Sequence, residues 1–468
     1  MTAAPEQFDP VLALAAERSR RYLASLPIRP VPAASGVSGM LVAFDDHLPD
    51  GGDDPVAVLA ELADAIEPGL AASGSGRFFG FVVGGSVPAS VGADWLVTAW
   101  DQNAGLAAVT PGVVAVEHRA GQWVLDLLGL PATAAIGFPT GCCQAHVTCL
   151  AAARHHMLAA YGWDVGANGL QGAPTLRVVT GRERHATVDL ALRQLGLGTR
   201  TARLVDVDGQ ARIDLGDLER ALDEPTDGPT IVILSAGNVN TGSFDPLAEA
   251  IDLAHDRGAW VHVDGAFGLW AAASPVHRHL VAGVERADSW ASDAHKWLNV
   301  PYDCGIAIVS RPEALHAAMG ITAAYLIQDG EAVPDPNDLV PEFSRRARGV
   351  PVWAMLRSVG RSGVADIVER CCAHAARVGS ELDAIDGIAV VNDVVLNQVL
   401  VRFSDDDATT RTVAAAVLAD GAVYASGSTY LGRAVLRISV CNWRTDDADV
   451  DALVAAVRRC HAAVAQVG

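Results

Sequence analysis

Lysine is nearly absent from this chain: its 34 basic side chains are 33 arginines and a single lysine, Lys296. As solvated surface charges the two residues serve almost equally well. Their chemistry differs, because only a lysine amine can lose its proton near neutral pH and attack a carbonyl carbon. The composition therefore marks Lys296 as a place where arginine would not serve. Basic charge is scarce as a whole, with 34 basic against 55 acidic residues, a net charge of −21 and a pI near 4.9. That balance disfavours nucleic acid and anionic membrane as partners, since phosphate attraction needs a basic face. No run reaches 18 apolar residues, and MTAAPEQFDPVLALAAERSRRY lacks a basic segment leading into an uninterrupted apolar one. Neither a membrane span nor a secretory leader is expected, and the chain reads as soluble and cytoplasmic. The eight cysteines show no CxxC spacing, and the pairs Cys142–Cys143 and Cys371–Cys372 suggest reduced packing groups; no metal site is expected.

What is present is enough apolar sequence for a large core. Hydrophobic residues make up 50% of the 468 and charged residues 19%, and the length is about three times the ~150-residue domain prior. Residues 1–75 are helical in pattern but interrupted, with VLALAAERSRRYLASL and DPVAVLAELADAIEPGL around a Pro-rich loop. A piece of that kind cannot bury its apolar stripe alone, and it is expected to pack on another domain or across a dimer. Residues 76–345 hold alternating helices and short apolar strands, read at TLRVVTG, TARLVDV, PTIVILSAG, AWVHVDG and CGIAIVS. Such alternation implies an α/β domain with a mainly parallel sheet covered on both faces and ligands beyond the carboxyl ends of its strands. Residues 346–468 begin with a long helix and continue through LNQVLVRF and AVLRISVCN as a smaller α+β C-terminal domain. The Pro- and Asp-rich stretch from Gln328 to Glu342 is expected to be a mobile loop.

Lys296 lies in SWASDAHKWLNVPYDCG, and Asp264 ends the strand read at AWVHVD. A carboxylate at the end of one strand and a lysine on a following loop can converge on one ligand, and that pair suits pyridoxal phosphate. The cofactor's aldehyde takes a lysine amine, and its pyridine nitrogen needs an anion to stay protonated so that the ring can accept electrons. Its phosphate needs backbone N–H groups at a helix start, which Thr140, Gly141, Cys142 and Cys143 supply ahead of an amphipathic helix. Its flat ring needs a stacking partner, for which His185 follows the strand TLRVV.

On HVDGAF, DAHKW and TGCCQAH the sequence resembles the pyridoxal-phosphate-dependent amino acid decarboxylases of the aromatic-amino-acid and glutamate type, over about residues 75–445. The resemblance implies the fold type I, or PLP-dependent transferase, architecture and an obligate homodimer with its active site at the interface. It implies that Lys296 joins the cofactor aldehyde, Asp264 the ring nitrogen and His185 the ring face, with Ala266 packed beneath and Asn238, Asn240 and Thr241 in the strand-end segment. Asp293 and His295 flank the lysine, Asp293 as a group that orients His295. The segments Arg77–Pro88 and Trp100–Asn103 would line the substrate pocket, which brings in Phe79, Phe81 and Trp100. Arg444 would hold a substrate carboxylate or pair with Asp446 or Asp447. Arg345 and Arg346 would tie down the preceding loop.

Two departures stand out. TGCCQAH puts thiols where the family places a hydroxyl, and the stretch QDGEAVPDPNDLVPEF contains no tyrosine, whereas the family's aromatic-type enzymes commonly place one there to protonate the substrate carbanion; Tyr325 lies before it. The expected activity is decarboxylation of an L-amino acid, with Lys296 or water protonating Cα. Alternatives on the same cofactor are decarboxylation-dependent aldehyde formation, transamination or carbon–carbon lysis, and a dimeric cofactor-binding protein without turnover is a further one. With no arginine cluster beyond Arg77, an apolar or aromatic substrate side chain is expected over an acidic one.

Overall fold

A computed structural model describes residues 8–44, 47–321 and 333–466. Tyr325 and residues 328–332 of the expected loop lie outside the described residues. The larger sheet contains β1 (Ala135–Gly137), β2 (Arg177–Gly181), β3 (Arg203–Val205), β4 (Thr230–Ser235), β5 (Trp260–Asp264), β6 (Ser289–Asp293) and β7 (Gly305–Val309), in the spatial order β1-β7-β6-β5-β4-β2-β3. The five strands from β3 to β6 run parallel, while β7 is antiparallel to both β6 and β1. The expected mainly parallel α/β sheet is thus present. The strand readings at β2 to β5 and β7 hold, while β1 and β6 were not anticipated. SWASD mixes small and polar residues, so it carries no apolar run, yet all five residues are buried because β6 sits in mid-sheet.

Alternation along these strands sorts side chains to two covered faces. Val232, Leu234, Val261 and Val263 join one core with Trp270 and Trp290. Ile231, Ile233 and Trp260 join the other, beneath the helix Cys142–Ala159. Since Trp260 faces that helix, period-two geometry sends His262 and Asp264 to the same face. Gly305 lets the helix start approach β7 closely: a Cβ there would lie 2.4 Å from the Gly141 carbonyl carbon.

The second sheet has the order β10-β11-β9-β8, with β8 (Ala389–Val390), β9 (Gln398–Arg402), β10 (Ser426–Tyr430) and β11 (Arg433–Ser439), all antiparallel. The helix Asp407–Asp420 packs on β10 and β11, and the helix Asp447–Ala465 packs on that helix. The long helix Gly349–Asp383 leads into it and breaks at Gly360, whose φ of +67° suits glycine alone. At the other end of the chain the helices Phe8–Ser25 and Pro55–Ile66 pair with each other, and Arg18 meets Asp64 at 2.6 Å. Neither helix buries a residue fully.

The segment before the long helix is anchored by charge, as expected of Arg345 and Arg346. Arg345 pairs with Glu117 on the helix Pro111–Leu128 and donates to the carbonyls of Ala104 and Phe138. Arg346 binds Asp94 and Thr98. Glu117 also accepts the Gly349 N–H at 2.8 Å. Removing one partner of such a buried pair strands the other charge. Glu117→Ala should lower the unfolding free energy by about 3–5 kcal/mol, while Arg361→Ala, which removes the exposed pair with Asp126, should cost less than about 1 kcal/mol; urea unfolding compares the two.

Candidate active site

The carboxyl ends of β5 and β6 carry the two carboxylates of the site. Asp293, at the end of β6, is 2% exposed, and its backbone is fixed by bonds to the Ala266 carbonyl and the Trp270 indole N–H. Its Oδ1 accepts the Cys142 N–H at 2.6 Å, and its Oδ2 lies 2.9 Å from Lys296 Nζ. His295 Nδ1 accepts the Cys304 N–H at 3.1 Å, so the ring proton sits on Nε2, 3.4 Å from Asp293 Oδ1. The His295 ring stacks on Tyr302 at 4.4 Å. Burial opposes a charge on Lys296, but Asp293 outweighs it and holds the amine above the ordinary lysine range. Lys296 sits in a tight turn closed by Asn299, which adopts φ +55° and bonds to the Trp297 and Cys441 carbonyls and the Trp443 N–H.

Asp264, at the end of β5, is 8% exposed. Burial disfavours its charge, yet His146, His185 and Lys296 prevail and hold the carboxyl well below the usual range. The Ala266 N–H donates to its Oδ1 at 3.2 Å. His146 Nε2 is 3.5 Å from Oδ2. Behind it, His146 Nδ1 and His262 Nε2 are 2.9 Å apart, and His262 Nδ1 and Ser289 Oγ are also 2.9 Å apart. His185 caps the helix Ala186–Gln194: its Nδ1 accepts the Thr187 N–H at 3.3 Å and faces the Thr187 hydroxyl at 2.7 Å. Burial pushes the His185 pKa down, Asp264 opposes it, and Lys296, His146 and Arg437 add to the fall.

Gly141 is the N-cap of the helix Cys142–Ala159 and supplies no side-chain bond. Among the described residues the N–H groups of Cys143 and Gln144 have no partner in the chain, which leaves two donors for an anion at the positive end of the helix. Burial pushes both the Cys142 and Cys143 thiols up, so they act there as neutral groups. A lysine amine, a charged buried carboxylate, a half-buried imidazole and free helix-start donors form the set that pyridoxal phosphate requires. Lys296, Asp264, His185 and the Cys143–Gln144 backbone would hold it.

Other expected residues serve elsewhere. Asn238 spends both ends of its amide on backbone, accepting from Asn240 and Thr241 and donating to Glu183, while Thr241 donates to the Gln210 carbonyl. Both brace the loop after β4. Phe79 is wholly enclosed in the core and presents no face to a ligand. Phe81 is exposed beside Tyr424, and Trp100 is exposed at the end of the helix Pro88–Trp100. Arg77 donates to the carbonyls of Leu26, Arg29 and Ala422, a structural use. Arg444 lies over the Trp443 ring at 4.9 Å and pairs with neither Asp446 nor Asp447. Four residues were not singled out from sequence: His146, His262, Asn299 and Arg437. The signal for the histidines was their spacing, one helical turn past Cys142 and two strand positions before Asp264.

His262 generates a pH prediction. Burial and His146 bring its pKa down to about 3, so the folded protein keeps it neutral where the unfolded chain protonates it. Its contribution to stability is present above the unfolded value near 6.5 and is lost as pH falls toward about 3. In acid unfolding of the apoprotein followed between those limits, His262→Gln should show a shallower fall in stability than wild type, by up to one proton.

Comparison with known proteins agrees with this geometry. The family described as the pyridoxal-dependent decarboxylase conserved domain matches residues 39–404. Aromatic-L-amino-acid decarboxylase of Bacillus atrophaeus is 28% identical over 357 residues, 75% of this chain and 71% of that protein. Acidic amino acid decarboxylase GADL1 of Bos taurus is 27% identical over 355 residues, covering 74% and 67%. The crystal structure of Oryza sativa TDC with PLP and tryptamine superposes with a TM-score of 0.91 at 23% identity, over 99% of each chain, and so shares the fold. With lysine, carboxylates and helix start assembled at one sheet edge and most of its length matched, the chain belongs to the pyridoxal-dependent decarboxylase family.

Proposed function

We propose that the protein removes the α-carboxyl group of an L-amino acid with an apolar or aromatic side chain, releasing carbon dioxide and the primary amine. The observation that carries this reading is that the one lysine side chain stands at the carboxyl edge of the sheet between two buried carboxylates of different surroundings. Pyridoxal phosphate, when bound, supplies an aldehyde that takes up amines and a ring that accepts the electron pair left by a departing carboxylate.

The chain's own residues do the rest. Asp293 Oδ2, at 2.9 Å, is the acceptor for the proton that Lys296 Nζ must lose to become a nucleophile. Protonated again from Asp293, the same side chain can, as an ammonium, give a proton to the substrate carbon. Asp264, kept charged, would hold the ring nitrogen, and His185 would cover the ring face. Arg437, on β11, bears a buried Nε without a partner and, among the described residues, has no carboxylate partner. Its long bond to the Val239 carbonyl, at 3.5 Å, sets it beside the loop that Asn238 ties to Glu183. Arg437 is the cation best placed to meet an incoming carboxylate. Used on the α-carboxylate, that cation is not available to an acidic side chain, which supports the apolar or aromatic class.

A homodimer in the cytoplasm belongs to the same proposal. The exposed apolar side chains Phe8, Leu12, Trp95, Leu96 and Trp100 support a second copy as their cover. All eight cysteines are free, which suits a reducing compartment. Twenty amino acids assayed for carbon dioxide and amine test the reading. At least one apolar or aromatic substrate should yield both without ammonia or peroxide, and Arg437→Met should raise its KM by about tenfold or more. No carbon dioxide from any substrate, or aldehyde with ammonia in place of amine, would contradict it.

A further inference from the structure

The buried row behind Asp264 has a direction that its donors and acceptors determine. The Trp260 indole can only donate, and its Nε1 lies 2.9 Å from Ser289 Oγ. The Ser289 hydroxyl hydrogen is then free for His262 Nδ1, at 2.9 Å. His262 Nε2 carries the proton and donates to His146 Nδ1, at 2.9 Å. The remaining ring proton of His146 is then on Nε2, which lies 3.5 Å from Asp264 Oδ2. In the opposite direction a bare imidazole lone pair would face a carboxylate, an arrangement of like charge. Every group in the row is satisfied with one proton on each ring. His146, His262 and Ser289 are all fully buried, so no water competes. The Cys142 sulfur also lies 3.4 Å from His146 Nε2, but burial keeps that thiol neutral and the carboxylate is the stronger acceptor.

We infer that His146, supported by His262 and Ser289, is a positioning residue that binds one oxygen of Asp264 and keeps that carboxylate charged and oriented for the pyridine nitrogen of pyridoxal phosphate. It touches neither cofactor nor substrate; it acts through Asp264. The inference rests on the cofactor reading and adds which side chains govern the protonation of the ring. Asp264 has a neighbour on each oxygen, the Ala266 N–H donating to Oδ1 at 3.2 Å and His146 Nε2 at 3.5 Å from Oδ2. Without His146, burial works against the charge with one fewer partner, and a proton shared with the ring nitrogen moves toward the carboxylate.

The test uses holoprotein with cofactor labelled with 15N in the ring, in wild type, His146→Leu and His146→Gln, after dialysis against a chelator because Cys142, His146 and Asp264 also lie close enough for a metal ion. Wild type should show a protonated ring nitrogen by NMR. His146→Leu should show that signal displaced toward the unprotonated position, with cofactor affinity about tenfold to a hundredfold weaker. His146→Gln, whose amide can donate to Asp264, should restore both. If His146→Leu does not fold, His262→Leu removes the support one bond further back and should displace the signal the same way by less. A leucine variant that binds cofactor with the wild-type nitrogen signal overturns the inference, even if its affinity falls, because a merely structural role would weaken binding without changing the ring. A wild type that takes up no labelled cofactor overturns the cofactor reading itself.

Discussion

The carboxylate of Asp293 is the constraint on which the site depends. It joins the end of β6, the first N–H of the helix Cys142–Ala159 and the lysine amine. A buried carboxylate is costly unless its oxygens are occupied. Here Oδ1 takes a backbone donor at the positive end of a helix and Oδ2 takes an ammonium, so the desolvation cost is offset by charge on both sides. Satisfying Asp293 thereby brings the chain's one lysine to the sheet edge. The close seat of the helix start against Gly305 belongs to the same arrangement.

The two carboxylates of the site do different work because their neighbours differ. Asp293 is paired directly with the amine, 2.9 Å from Nζ. Asp264 is reached by imidazole and a backbone N–H, with Lys296 acting on it at longer range. In the proposed function one carboxylate would take the lysine's proton, and the other would stay charged for a protonated ring nitrogen. Separating acid and base roles through environment, with one residue type, is a common solution in active sites.

Much of this was legible in the sequence. Lysine scarcity pointed to Lys296, and strand-end Asp264 and the helix start after Gly141 followed from what one cofactor demands. The apolar runs of β2, β4, β5 and β7 were plain because both faces of each strand are buried. The rest needed the fold. SWASD has no apolar run, and only its place between β5 and β7 makes it a strand. His146 looked like one more polar residue on an amphipathic helix until the sheet placed His262 across from it. Arg77 and Arg444 carried no signal separating a substrate cation from one spent on carbonyls or on an indole, and Phe79 read as pocket when it is core. Arg437 was missed because an arginine in an apolar strand reads as a tolerated exception until its Nε is seen buried without a partner.

The relatives include enzymes named for aromatic and for acidic amino acids, so the family leaves the side chain open while the placement of Lys296 bears on the chemistry itself. The most direct measurement is borohydride reduction of the cofactor-loaded protein followed by peptide mapping. The account predicts a single labelled peptide, containing Lys296. Label absent from that peptide, or present on any other side chain, would contradict it.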